Sequence, residues 1–293
     1  MGKLIRCITS NGAIMVSAID STDIVAKAEQ LHKTSAVITA ALGRLLTAGA
    51  MMGNMLKGEN SSISLKIDGG GPAGAVTVSA DSVGNVRGYA QNPIVEIPLK
   101  PNGKLDVSGA VGTDGNLFVV KNLGMKEPYN GFVPITTGEI AEDITSYYAT
   151  SEQIPTACAL GVLVNPDLTV RRAGGYIIQL LPFTEDEIIT RLEENLKNAR
   201  PVTELLDEGK DIEEIVRNVL DGFETEVIYE EFPEYKCKCS REKIQGILEG
   251  LSEKDLSEMA EAQKDTEVKC HFCGKNYVFS SEEIEKIKNC KKS

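Results

Sequence analysis

The sequence predicts an α+β protein in three parts: a mixed sheet-and-helix domain over residues 1–182, an acidic helical linker over 183–235 and a small cysteine-bearing domain over 236–293. Three observations carry this reading. Strand and helix patterns mix in the first part without the regular βαβ alternation of a doubly wound fold. Between Glu185 and Tyr235 stand seventeen Asp and Glu against five Lys and Arg, a balance of −12 that equals the net charge of the whole chain. The remainder is therefore neutral as a whole. Finally, four of the seven cysteines fall near the C-terminus in two close pairs, Cys237-x-Cys239 and Cys270-x-x-Cys273.

The first part opens with two strand patterns, Leu4 to Thr9 and Ala13 to Ile19, around Asn11-Gly12, the dipeptide best suited to a type I′ hairpin turn. Ser35 to Leu56 is apolar apart from Arg44. Its glycines, alanines and central arginine make a poor membrane span and a good buried central helix. Ser61 to Asp68 and Ala75 to Ala80 alternate with period two on either side of Gly69-Gly-Gly-Pro-Ala-Gly74. That segment lacks the Gly-Lys-Ser/Thr ending of a phosphate loop and reads as a turn between strands. Asn85 to Ala90, Leu117 to Leu123, Cys158 to Val164 and Gly174 to Leu181 are further strands. Thr137 to Thr150 opens like a helix, and its first turn accounts for Glu139, Glu142 and Asp143 without invoking catalysis.

The linker reads as helical. Thr184-Glu-Asp-Glu187 is a capping-box sequence, followed by Ile188, Ile189, Leu192 and Leu196 at helical spacing. Pro201 breaks the run, and a second stripe follows with Ile212, Ile215, Val216, Val219 and Leu220 before Gly222. The opposite face crowds like charges at i,i+4 spacing, so such helices depend on docking against a neighbour. Two readings stand: a permanently docked helical pair with a solvated acidic face, or a metastable linker poised to unfold. Ile188, Ile189, Leu192, Ile212, Ile215 and Val219 are the apolar surface that unfolding would release.

Two close cysteine pairs joined by a short segment can place four thiolates at the corners of a tetrahedron, the closed arrangement preferred by structural zinc. Cys237, Cys239, Cys270 and Cys273 are thus the candidate ligands of one Zn²⁺, and the third part is a small C-terminal zinc-binding domain. Gly274, lacking a Cβ, lets backbone N–H groups turn toward the sulfurs. The single residue between Cys237 and Cys239 is unusual. A disulfide there would close a small strained ring, and strained disulfides are the labile ones. The same sulfurs can hold a metal when reduced and form two disulfides when oxidised.

Other chemistries are poorly served. With only His32 and His271 and no Gly-x-Ser-x-Gly elbow, a Ser-His-Asp hydrolase is not supported. Cys7 and Cys158 read as inert core thiols, and Cys290 as a tail cysteine among lysines. Lys238, Arg241, Lys243, Lys269 and Lys275 surround the cysteines, but acidic residues offset them and the neighbouring linker repels phosphate, so no nucleic-acid partner is expected. No membrane partner is expected either. The first residues carry no apolar run of signal-peptide length, and the cysteine usage suits a reducing cytoplasm. The competing function class is a thiol–disulfide oxidoreductase. That class needs an exposed, acidic attacking thiol in a thioredoxin-like βαβ setting, whereas here Cys-x-x-Cys follows a charged connector and a helical stretch.

The cysteine arrangement, with Lys236-Cys-Lys-Cys-Ser-Arg241 and Val268-Lys-Cys-His-Phe-Cys-Gly-Lys-Asn-Tyr-Val-Phe279 around it, resembles the redox-regulated holdase chaperones of the heat shock protein 33 family. The likeness extends to Arg87-Gly-Tyr89, Gly138-Glu-Ile-Ala-Glu-Asp143, Tyr147-Tyr148, Ser151-Glu-Gln153 and Ala173-Gly-Gly-Tyr176 leading to Gln179-Leu-Leu-Pro182. It therefore spans nearly the whole chain. The resemblance implies a binding protein without turnover, zinc-loaded and inactive when reduced. It further implies that peroxide or hypochlorite pairs Cys270 with Cys273 and Cys237 with Cys239, zinc leaves, and the linker unfolds, which selects the metastable reading. The oxidised protein is then expected to hold unfolding client proteins without ATP, as a homodimer.

Overall fold

The computed structural model describes residues 2–262 and 264–290, with the Cys290 side chain outside the described part. The chain divides into two compact units, Met1–Lys236 and Cys237–Ser293.

In the larger unit, strands β1 (Lys3–Thr9) and β2 (Ile14–Asp20) form the hairpin expected around Asn11-Gly12, with Gly12 at φ +68. Helix α1 (Thr22–His32) leads to α2 (Ala36–Asn54). Strands β3 (Ser62–Asp68), β4 (Val76–Asp81) and β5 (Val86–Ala90) are consecutive antiparallel neighbours, and the glycine-rich segment is the β3–β4 turn. After the short α3 (Val107–Val111) come β6 (Asn116–Asn122) and β7 (Tyr129–Pro134). Helix α4 (Ala141–Tyr147) runs on into a π-helical turn, Tyr148–Glu152, and β8 (Thr156–Val164) and β9 (Val170–Leu180) follow. The connector supplies α5 (Asp186–Lys197), α6 (Val202–Asp207), α7 (Ile212–Val219) and β10 (Thr225–Glu231).

Two five-stranded antiparallel sheets result, in the orders β10-β1-β2-β9-β8 and β5-β4-β3-β6-β7. The main core gathers Leu4, Ile19 and Ile177 from the first sheet, Ile63, Leu65, Val78 and Val119 from the second, and most of α2. Helix α2 is long and apolar enough to cross a membrane, but 89% of that window is buried inside the fold, as its composition led us to expect. Its glycines matter where packing is closest: a Cβ on Gly43 would lie 2.6 Å from Val25 and 2.8 Å from Val162. The close approach offsets the roughly 1 kcal/mol that glycine costs a helix interior.

The first sheet is apolar on both faces. Side chains alternate along each strand: Leu4 and Ile19 point to the main core, while Ile5, Cys7, Ile14, Val16 and Ala18 belong to a second cluster. Tyr176 and Ile178 join them, and the connector helices close this cluster with Leu192, Val202, Leu205, Leu206, Ile212, Ile215, Val216 and Val219. Lys3 ties β1 to α7 and β10 through Glu213 (2.6 Å) and Glu230 (2.9 Å).

Three local expectations need correction. The connector is not helical throughout, because residues 225–231 form β10 on the edge of β1. The capping box at Thr184 does not form: its hydroxyl donates to the carbonyls of Leu181 (2.7 Å) and Ala13 (3.0 Å), and Glu185 stands at the N-cap. The box instead sits at Asp211 and Glu214, each side chain accepting from the other's N–H. The helix expected from Thr137 starts at Ala141. Buried Asp143 instead accepts from the N–H groups of Thr136 (2.7 Å), Thr137 (3.0 Å) and Ile140 (2.9 Å), fixing the turn before it.

Candidate metal centre

The smaller unit is built from α8 (Arg241–Glu249), α9 (Glu253–Glu261), the hairpin β11 (Thr266–Lys269) and β12 (Asn276–Phe279), and α10 (Ser281–Cys290). Its core is small: Ile244, Leu248, Leu256, Tyr277, Phe279, Ile284 and Ile287 with Cys270. A unit of this size buries too little apolar surface to be secure without a staple.

Cys270 and Cys273 occupy the loop of the β11–β12 hairpin. Gly274 takes φ +72 there, and its N–H donates to the Cys270 carbonyl at 2.8 Å while Cys270 N–H donates to Lys275 at 2.9 Å. Gly274 thus closes the turn through a carbonyl, and the backbone N–H groups that face sulfur, as the sequence led us to expect, are those of Lys275 toward Cys273 and Cys239 toward Cys237. Cys237 and Cys239 lie on the stretch before α8, which Ser240 caps by accepting from Lys243 N–H. Arg241 fastens that helix to the hairpin, donating to the Val278 carbonyl at 2.7 Å and stacking over Phe279.

The four sulfurs converge. All lie within 4.8 Å of one another, with Cys237–Cys270 at 3.7 Å and Cys239–Cys273 at 3.5 Å. Four thiolates bound to zinc at ~2.3 Å stand about 3.8 Å apart, so the donor set fits a tetrahedral ion of that size. The ionisation behaviour fits as well. Burial opposes charge on Cys239, yet the Tyr277 hydroxyl at 3.1 Å and the neighbouring thiols outweigh it and bring Cys239 down to about 7. Burial pushes Cys237 up to about 12 and raises Cys273. One proton leaves such a cluster readily and the rest resist, unless a cation takes their place. His271 is exposed beside the loop.

The other singled-out residues are elsewhere. Glu139 pairs with Arg44 (2.6 Å) and with Lys100, and Asp143 holds a turn, so neither is aimed at a shared reacting atom. Burial works against charge on Glu139, but Lys100 and Arg44 keep its carboxylate below the usual range. His32 meets the Tyr235 hydroxyl at 3.1 Å. Cys7 is buried under the connector helices, and burial raises it to about 11; Cys158 is raised by burial as well. Of the connector residues, Leu192, Ile212, Ile215 and Val219 are buried in the second cluster and Ile188 packs partly against it, while Ile189 is half-buried outside it. Sequence reasoning missed Val202, Leu205 and Leu206 of α6, whose short apolar run follows Pro201. It also missed the role of Tyr277, which the alternation of buried Tyr277 and Phe279 in β12 could have signalled.

A family model described as Hsp33 protein matches residues 2–280. The chain belongs to the Hsp33 family. It is 49% identical over 284 residues to the 33 kDa chaperonin of Lachnoclostridium phytofermentans, covering 97% of each chain. It is 48% identical over 286 residues to the 33 kDa chaperonin of Clostridium perfringens, covering 97% of this chain and 90% of that one. The crystal structure of the 33 kDa chaperonin (heat shock protein 33 homolog) of Thermotoga maritima matches with a TM-score of 0.89 at 36% identity, over 99% and 98% of the two chains. The resemblance read from the sequence is therefore borne out, and so is the α+β fold class. As an Hsp33 family member the chain is a chaperone, a protein whose partners are client proteins, and it carries a four-thiol cluster able to hold a metal ion.

Proposed function

We propose that this protein is a redox-switched, ATP-independent holdase, with Cys237, Cys239, Cys270 and Cys273 holding one zinc ion per chain in its reduced, inactive form. Bound zinc supplies no turnover chemistry; it holds the smaller unit folded. On oxidation Cys237 pairs with Cys239 and Cys270 with Cys273. Four thiolates give up four electrons to two peroxides, which take up four protons and leave as four waters. Sulfurs in disulfides are no longer thiolate ligands, so the ion is given up and its binding energy lost. The linker over 183–235 then unfolds, baring Ile188, Ile189, Leu192, Ile212, Ile215 and Val219 together with the sheet face they covered, and unfolding proteins bind there. Residues 1–182 stay folded. The active form is a homodimer in the cytoplasm, and neither nucleic acid nor membrane takes part.

One observation carries this reading: a strongly acidic connector seals an apolar sheet face in the same chain that ends in a four-thiol cluster. Like charges on its outer face make the seal weak by a few tenths of a kcal/mol per i,i+4 pair. The test compares hydrogen exchange and light scattering of a heat-denatured client for the two redox forms. Loss of amide protection from α5 to β10, with suppressed aggregation only after oxidation, is expected. A connector that stays protected, or equal suppression by both forms, overturns the proposal.

A further inference from the structure

Strand β1 is a central strand only while β10 lies along its edge. Its Leu4, Ile5 and Cys7 are buried, as central-strand residues are. Strand β10 is different. Among the described residues neither apolar cluster of the larger unit includes a β10 side chain, and Val227, Ile228 and Tyr229 are 41, 46 and 37% exposed. Lys3–Glu230 adds an ion pair, but the apolar side chains of β10 contribute little hold. The backbone ladder to β1 is what keeps the strand in place.

The register shows what that ladder consists of. Ser10 N–H donates to the Glu224 carbonyl at 2.9 Å, and hydrogen-bonded pairs fall on alternate residues of an antiparallel ladder. Ile8, Arg6 and Leu4 therefore turn their N–H and C=O toward β10, opposite Glu226, Tyr229 and Glu231, whereas Cys7, Ile5 and Lys3 turn theirs toward β2. A bulge between Arg6 and Cys7 leaves Ile228 without an opposite residue, so the edge holds its partner without an unbroken register. Lys3 and Arg6 are the only charges on β1, and β10 brings Glu226, Glu230 and Glu231 but no base.

We infer that β10 is a placeholder, and that the β1 edge it covers is where an unfolding client is held, as an added strand. The inference rests on the redox proposal, which supplies the step that takes β10 away with the rest of the connector. Leu4, Arg6, Ile8 and Ser10 then present an open row of N–H and C=O groups beside the apolar face that the connector helices had covered. An extended segment takes up that row through its own backbone, which every polypeptide carries, so the site selects for extended chain and not for sequence. Folded proteins, whose strands are already paired, are passed over. Lys3 and Arg6 favour segments poor in Lys and Arg, as like charges across a strand pair repel.

The test uses the full-length protein, a labelled peptide copying residues 224–231, and a twin of that peptide N-methylated at Glu226 and Tyr229. By fluorescence anisotropy the oxidised form is expected to bind the plain peptide at least ten-fold more tightly than the twin, and the reduced form to bind neither. The plain peptide alone is expected to compete with a heat-denatured client for the oxidised form. Equal competition by the two peptides, or none by either, overturns the inference while the redox proposal stands. Arg6 and Ile8 amides that stay protected from exchange after oxidation, with no client present, overturn it too, since β10 or a second copy then fills the edge. An oxidised form that holds no client at all brings down the redox proposal and this inference with it.

Discussion

The Tyr277 hydroxyl donates a hydrogen bond to the Cys239 sulfur at 3.1 Å, from a strand whose Tyr277 and Phe279 rings both serve the core of the same small unit. A donor aimed at a ligand sulfur steadies its negative charge and fixes its direction. Removing such an outer partner commonly costs 10–100-fold in metal affinity. Tyr277→Phe keeps the ring in the core and deletes only the hydroxyl. Competition with a chromogenic chelator is expected to show about ten-fold weaker metal binding with near-normal stability of the larger unit. Unchanged affinity would make the contact incidental.

Metal content follows from the ligand count. Reduced protein should carry about one zinc per chain, and each of Cys237→Ser, Cys239→Ser, Cys270→Ser and Cys273→Ser should lose most of it, because a closed four-ligand site has no spare donor. Elemental analysis decides this. Full zinc content in all four variants would refute the assignment.

Disulfide connectivity is the next outcome. Peptide mapping of peroxide-treated protein should recover Cys270–Cys273 first and Cys237–Cys239 second, the one-residue ring being the more strained. Two sulfur separations that cross between the pairs are 3.5 and 3.7 Å, so a Cys239–Cys273 bridge is the outcome that would count against this order.

Ile215 is fully buried between α7 and the first sheet. Ile215→Ala should cost about 2–5 kcal/mol of connector docking, enough to open a weakly held segment without any oxidant. The reduced, zinc-loaded variant is then expected to suppress client aggregation and to bind a hydrophobic dye. A variant that remains inactive until oxidised would show that undocking alone does not expose the client surface.

Alkaline pH should loosen the same seal. Burial, helped by Glu213, raises the Cys7 thiol from 9.0 to about 11. A raised value means the neutral thiol is favoured in the docked state, so its contribution is complete below pH 9 and lost as pH climbs through about 11. Tyr176 on the same face, raised by burial to about 12, acts in the same direction. Dye binding by reduced protein should rise between pH 9 and 11 and rise less in Cys7→Ala. Identical profiles for the two proteins would remove Cys7 from the account.

Much of this was legible in the sequence, for reasons that can be named. Asn11-Gly12 fixes its hairpin locally, and the apolar, glycine-spaced run of α2 admits only a buried position. The four clustered cysteines announce themselves by spacing. Strand β10 escaped notice because Glu226, Glu230 and Glu231 made it look like more of the acidic connector, whereas an edge strand can keep its charges in water. At Thr184 the pattern was right and the partner wrong, since a chain reversal at Leu181 captured the hydroxyl first. Asp143 was recognised as a first-turn acid, but its bonds to the preceding turn depend on where Thr136 to Ile140 fold back, which no periodicity records.

The first sheet is one layer of backbone serving two cores by parity. Substitutions at Leu4, Ile19 and Ile177 bear on whether the protein folds at all. Those at Ile5, Ala18 and Ile178, one step along the same strands, bear on how tightly the connector is held. Selection can therefore retune the threshold of release on one parity while leaving the other untouched, and a survey of natural variants should find the two sets drifting at different rates.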